Sequence, residues 1–176
     1  AYKDDHLRFF LLSRGCLEWL LQERQAQDGW KPDIIHCHDW HTGYLIDEAR
    51  RNPRYAKKLG KTPILYTVHN FKYQGNTVFK YLASKKQDKG ETPLNTIKEY
   101  KLLVQNPLLR GLIYADWVNT VSKSHVQEVM TSEYGEGLEN TTALIKGKFS
   151  GILNGLDKKE FNPRTDPFLK KNYSLS

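Results

Sequence analysis

Pro32-Asp33-Ile34-Ile35-His36-Cys37-His38-Asp39-Trp40-His41-Thr42-Gly43 decides the fold. A short apolar run, opened by a proline, passes directly into polar and aromatic residues. Its length and bracketing predict a buried strand whose C-terminal end opens into a site. The same unit recurs downstream. Thr62-Pro63-Ile64-Leu65-Tyr66-Thr67-Val68 reads as a strand ending in His69-Asn70, Asp116 to Val121 as a third, and Phe149 to Leu153 as a fourth, ending in Asn154-Gly155. Helical patterns surround and alternate with these strands. The first runs from Asp4 or Asp5 to about Gln27, with Phe10, Leu17, Leu20 and Leu21 on one face and Arg14, Glu18 and Arg24 turned away. The second covers Thr42 to about Lys58 and breaks near Pro53. Others are expected from Asn95 or Thr96 to Leu103, from Pro107 to Tyr114, from Ser122 or Ser124 to Met130, and near Glu139 to Gly147. Residues 71–91 read as a long loop. The alternation predicts an α/β fold with a Rossmann-like parallel sheet and helices on both faces. Right-handed crossovers would gather the C-terminal strand ends along one rim, where ligands of such sheets bind.

The chain's 176 residues suit one domain of ordinary size. With 39% hydrophobic and 12% aromatic residues against 27% charged, disorder is excluded. The formal charge of +7 is spread over scattered lysines rather than an arginine-rich run, so no nucleic-acid partner is expected. No apolar stretch approaches the roughly 18–20 residues a membrane span requires, and no membrane partner is expected. The two cysteines, Cys16 and Cys37, have no paired metal-type spacing. The absence of an initiating Met, the opening directly into a helix, and a four-strand sheet with an open edge all imply a piece of a larger domain.

Polar residues at three strand ends form the candidate site: His36 to His41, His69-Asn70 and Asn154-Gly155. The first group tempts a metal reading, because His36, His38, Asp39 and His41 place four possible ligands within six residues. A sugar site explains more. A carboxylate such as Asp39 accepts hydrogen bonds from sugar hydroxyls, imidazoles orient and donate, and the Trp40 indole suits the apolar face of a pyranose. Phe71-Lys72-Tyr73-Gln74-Gly75 could line an acceptor path. Neither a dinucleotide-binding glycine fingerprint nor a phosphate-binding P-loop occurs.

These strand ends resemble those of the bacterial- and plant-type glycogen and starch synthases. Residues 32–43 are similar to one signature segment of that family, and Thr67 to Gly75 to another. Tyr114-Ala115-Asp116 through Thr120-Val121-Ser122 is similar to a third, and Gly135-Glu136-Gly137-Leu138-Glu139 to a fourth. Gly151 to Asp157 with Asn162-Pro163-Arg164-Thr165-Asp166 resembles a fifth, and the opening Tyr2-Lys3-Asp4 with Arg8-Phe9 a sixth. The segments come in the family's order and cover nearly the whole chain.

The resemblance implies a two-domain GT-B glycosyltransferase with its site in the cleft between domains, residues 1–176 forming part of the N-terminal one. It implies a hexosyltransferase that retains anomeric configuration, moving glucose from ADP-glucose, or UDP-glucose, to the non-reducing end of an α-1,4-glucan in glycogen or starch biosynthesis. No metal or other cofactor is implied. Carried over by position, Asp39 and His69 would be catalytic. His38, Trp40, Asn70, Tyr73, Gln74, Gly75, Asn154 and Gly155 would bind substrate, with Asn70 and Asn154 positioning glucose and diphosphate groups. The compartment implied is the bacterial cytoplasm or the plastid stroma. Asp5 stands where the family often has Asn, and Leu156 where Val or Ile is usual. The family's N-terminal lysine-bearing glycine loop and its C-terminal domain have no counterpart here, so the 176 residues alone are expected to be inactive. Alternative readings are a non-catalytic glucan- or partner-binding truncation, and a metal-dependent hydrolase built on His36 to His41.

Overall fold

A computed structural model describes residues 2–23, 29–75 and 78–174. Four strands, β1 (Ile35–His38), β2 (Ile64–Val68), β3 (Trp117–Thr120) and β4 (Phe149–Gly151), form one sheet in the order β1-β2-β3-β4. Every pairing is parallel. The predicted strands are all present, each shorter than its sequence bracket because the flanking residues turn into loops.

Seven α-helices accompany the sheet among the described residues: α1 (Asp5–Glu23), α2 (Gly43–Arg51), α3 (Pro53–Leu59), α4 (Glu99–Leu102), α5 (Pro107–Tyr114), α6 (Lys123–Glu128) and α7 (Glu139–Leu144). In α1, Phe10, Leu17, Leu20 and Leu21 are buried, as their spacing requires. Residues 24–27 of the predicted first helix, Arg24 among them, lie outside the described residues. The break expected near Pro53 falls at Asn52. Its extended backbone ends α2, and its side chain accepts a hydrogen bond from Arg54 N at 3.1 Å to start α3 behind Pro53. Ser122 caps α6 in the same way, accepting from His125 N at 3.0 Å.

The helix expected from Asn95 or Thr96 to Leu103 is corrected to a 3₁₀ turn, Leu94–Thr96, followed by the single-turn α4. Ile97 and Lys98 between them are extended, and Thr96 Oγ1 donates to Pro93 O at 2.8 Å. That local bond offers the backbone an alternative to continuous helix. The predicted loop after β2 is organised by two further 3₁₀ turns, Phe79–Tyr81 and Ser84–Lys86.

Alternation sorts the strand residues into two faces. Ile35, Cys37, Ile64, Tyr66, Val68, Val118 and Phe149 point to one side and join a single core with Leu17, Leu45, Ile46, Leu108, Leu112 and Val129 from the helices. Sequential strand order with right-handed crossovers puts successive connections on one side, which accounts for this shared core. The opposite face carries His36, His38, Thr67, Trp117, Asn119 and Ser150, with His36, His38 and Trp117 exposed. Gly43 permits the closest helix approach: a Cβ there would lie 1.9 Å from Pro107 O, so α2 and α5 meet only because the last residue of the opening stretch is glycine. Among the described residues no helix is long and apolar enough to cross a membrane.

Candidate functional site

Because the strands are parallel and in register, His38, Val68, Thr120 and Gly151 end at the same rim. Asp39 follows β1 with φ 53 and ψ −179, a combination that glycine tolerates and a Cβ-bearing residue resists. The surroundings hold it there. Asp39 N donates to Thr67 O at 2.9 Å, its carbonyl accepts from Thr42 N at 3.2 Å, and its Oδ1 accepts from His69 N at 2.8 Å. The carboxylate is thereby fixed across the ends of β1 and β2.

Beside it opens a cavity of about 540 Å³. Asp39, Trp40 and His41 line it from the β1 end, and Asn70, Lys72, Tyr73, Gln74, Gly75 and Val78 from the loop after β2. The start of the chain closes it with Tyr2, Asp5, Arg8 and Phe9. This third wall was not in the sequence-based candidate set. Its signal was available: residues 5, 8 and 9 are spaced to share one side of a helix. Asp5 and Arg8 are paired at 3.3 Å, and the Arg8 guanidinium lies 4.8 Å from the Tyr2 ring centre.

The candidate aromatic residues differ in availability. Trp40 is buried, with the His41 ring stacked at 4.1 Å and Phe9 edge-on at 4.9 Å. Tyr73 is 63% exposed and offers its ring to the cavity. Burial, opposed by Asp39 and Asp5, draws His41 below the ordinary imidazole range, which favours a neutral ring here.

Gln74 reaches the cavity wall but is fully buried, and its amide is engaged by protein. It donates to Phe71 O at 3.2 Å and Glu136 O at 2.9 Å, and accepts from Phe79 N at 3.1 Å and Asn106 Nδ2 at 2.8 Å. Its work in this structure is to stitch the cavity loop to the start of α5 and to the loop before α7. Gly75 has φ 95, and a Cβ there would meet Pro107 Cγ at 2.6 Å and Trp40 Cε3 at 3.0 Å. Both its backbone and its lack of side chain shape the wall.

His69 lines a neighbouring cavity of about 360 Å³, together with Asn70, Phe71, Lys72, Val121, His125, Tyr134 and Glu136. On the open sheet face, His38 Nδ1 lies 3.2 Å from His69 Nε2, and the His36 ring is 4.1 Å from that of His38. His36 Nε2 is 2.7 Å from Thr67 Oγ1. Asn154 and Gly155 lie past β4, exposed, and neither lines the cavities described here. Among the described residues no three His, Cys, Asp or Glu side chains gather as a metal-holding group. Cys37 belongs to the core, where burial pushes its thiol up to about 12 and keeps it protonated.

A cavity at the carboxyl ends of parallel strands, with a strained aspartate, an open tyrosine and neutralised imidazole, suits a sugar. The starch synthase catalytic-domain model matches residues 1–143. The chain belongs to the starch synthase catalytic-domain family. It is 39% identical to the probable chloroplastic/amyloplastic starch synthase 4 of Arabidopsis thaliana over 98% of this chain and 16% of that one. It is 36% identical to the probable glycogen synthase 2 of a Synechocystis strain, over 98% of this chain and 34% of that one. The solved catalytic domain of Arabidopsis starch synthase IV, bound to ADP and acarbose, superposes with a TM-score of 0.69 at 38% identity, over 98% of this chain and 34% of that one. The starch synthase family membership bears out the parallel α/β architecture. The chain spans about a third or less of the length of these relatives.

Proposed function

We propose that this chain forms part of the N-terminal domain of a retaining glucosyltransferase that moves glucose from ADP-glucose to the non-reducing end of an α-1,4-glucan. The observation that carries the reading is Asp39: a backbone conformation that disfavours a side chain is maintained, in a starch synthase family member, to aim a carboxylate at the rim cavity. Strain of this kind, of order 1–3 kcal/mol, persists where surroundings over-determine it, and it clusters at functional sites.

In this reading Asp39 accepts hydrogen bonds from hydroxyls of the transferred glucose and stabilises positive charge developing at its anomeric carbon. His69, one hydrogen bond away, orients the same sugar. Tyr73 covers an acceptor glucose ring, and Asn70 fixes hydroxyl direction. Such groups act by orientation and preorganised electrostatics rather than by covalent chemistry. The diphosphate contacts and the second wall of the cleft belong to parts of the polypeptide outside these residues, as does cover for the polar sheet face. Asn154 and Gly155, displaced from the cavity here, would join the site from the side where a second domain docks. ADP rather than UDP as the donor nucleotide is supported by the ADP held in the solved Arabidopsis relative. Plant plastid and bacterial relatives support a plastid stroma or bacterial cytoplasm as the compartment.

The test is glucosyl transfer from radiolabelled ADP-glucose by the whole polypeptide. Asp39→Ala and His69→Ala are each expected to lower turnover by at least about 10²-fold with circular dichroism unchanged. Near-normal transfer by either variant would overturn the assignment, and faster transfer from UDP-glucose would overturn the choice of donor.

A further inference from the structure

His69 approaches His38 through Nε2, with the two rings nearly parallel, 16° apart, and their centres 5.5 Å apart. An N···N contact of 3.2 Å between neutral imidazoles is a hydrogen bond only when one nitrogen carries a proton and the other a lone pair. Each such bond fixes a tautomer on both rings. A solvent-exposed histidine prefers the proton on Nε2. With both rings in that form, His69 Nε2–H donates to His38 Nδ1, and His69 Nδ1 keeps its lone pair. Among the described residues no group pairs with His69 Nδ1.

The geometry points to His38 as a positioning residue: by accepting from His69 Nε2–H, it holds His69 in a single tautomer whose Nδ1 lone pair accepts a hydrogen bond from a hydroxyl of the bound sugar. This rests on the proposed function, since it assigns a task to His69 within that site, and it gives His38 a role other than direct sugar contact. His36 supports the arrangement from the far side. Its ring packs on His38 at 4.1 Å, and its Nε2 is anchored on Thr67 Oγ1 at 2.7 Å. Burial, then the neighbouring His38 and His69, hold His36 below the ordinary imidazole range, so the ring beside His38 adds no charge at neutral pH.

The other ionisable groups about His69 are Asp39, which accepts from its backbone N–H, and Lys72, His125, Tyr134 and Glu136 around the adjoining cavity. His125 is paired with Glu128 at 3.1 Å and Glu136 with Lys80, so the contact that specifies the His69 ring comes from His38.

Three measurements on the whole polypeptide test this. His38→Ala is expected to lower kcat on the order of tenfold with KM little changed, and to leave the thermal midpoint unchanged, because the residue is exposed. His38→Asn, whose amide oxygen can stand where Nδ1 accepts, is expected to recover most of the rate. Nitrogen-15 spectra of the imidazoles should show His69 with a protonated Nε2 and a bare Nδ1, and a tautomer mixture in His38→Ala. If His69→Ala is inactive while His38→Ala keeps the wild-type rate and tautomer, the positioning role is wrong and the site stands. If His69→Ala is itself active, the functional reading fails first.

Discussion

Asp39 lies in a region of backbone space where a Cβ is resisted, and the strain can be isolated by substitution. Alanine and glycine both remove the carboxylate and its bond from His69 N, so their difference reports the backbone alone. Elsewhere alanine is the more stable of the two by roughly 0.5–1 kcal/mol, because glycine loses more freedom on folding. At φ 53 and ψ −179 the order should invert, with Asp39→Gly unfolding at higher denaturant than Asp39→Ala by about 1 kcal/mol. Both should lack transfer activity. Equal stability, or a more stable alanine variant, would show that the conformation is not strained. Asp39 as a candidate, placed by the structure on the cavity rim, was legible in the sequence, because a carboxylate closing an apolar strand has nothing to do in a core. Its backbone was not, since φ depends on the Thr67, Thr42 and His69 contacts, two of which come from another strand end. Gln74 shows the opposite limit. An amide in an aromatic loop reads as a ligand contact, whereas its four protein partners come from positions spread between residues 71 and 136.

Elements with their own punctuation were legible. Proline and polar residues bracketed each strand, and Pro53, Pro107 and Ser122 marked helix starts that the structure keeps. The segment between β2 and α5 was not legible, because it is held by long-range ion pairs rather than by periodicity. Arg110, fully buried on α5, binds Asp47 of α2 at 3.0 Å and Asp88 of the segment at 2.8 and 3.0 Å, and donates to Thr92 O at 3.0 Å. Arg51 adds a bond to Gly90 O and a contact with Asp47 at 3.5 Å. This clamp ties the far end of the cavity loop to the helix layer. Arg110→Ala would leave the buried Asp88 without its ion pair and Asp47 with only the longer Arg51 contact, and a loss of about 3–5 kcal/mol is expected. Burial outweighs the two arginines at Asp47 and pushes its carboxyl up from 3.8 to about 6. A folded-state value above the unfolded one means that the native protein binds the extra proton between those limits. The stability linked to Asp47 is therefore complete below about 4 and lost as pH rises through about 6. Denaturant titrations of the wild type and Asp47→Asn should diverge across that window and run parallel above it. Parallel behaviour throughout would mean that the arginines, not burial, govern the group.

At the scale of the molecule, the two sheet faces have unequal chemistry. One buries Tyr66, Val68 and Val118 under helices, while the other leaves His36, His38 and Trp117 open beside the site. The composition alone described one ordinary domain, whereas the chain spans about a third or less of the length of the relatives it matches. On the proposed reading, in which these residues form a single wall of a cleft, the chain binds a sugar weakly, since Asp39, Asn70 and Tyr73 line one cavity. It cannot accelerate transfer, because rate enhancement requires groups that meet the transition state from both sides and exclude water. The 176-residue chain is accordingly expected to show millimolar-range binding of maltooligosaccharide, about −4 kcal/mol, by chemical-shift changes at Tyr73 and Asn70. The same sample should release no ADP and extend no glucan when given ADP-glucose. Shifts confined to residues remote from that cavity, such as Leu144, would place the sugar elsewhere, and measurable chain extension would mean that these residues carry a complete catalytic centre. Binding without turnover is the outcome that a half-cleft, already organised around a strained aspartate, should give.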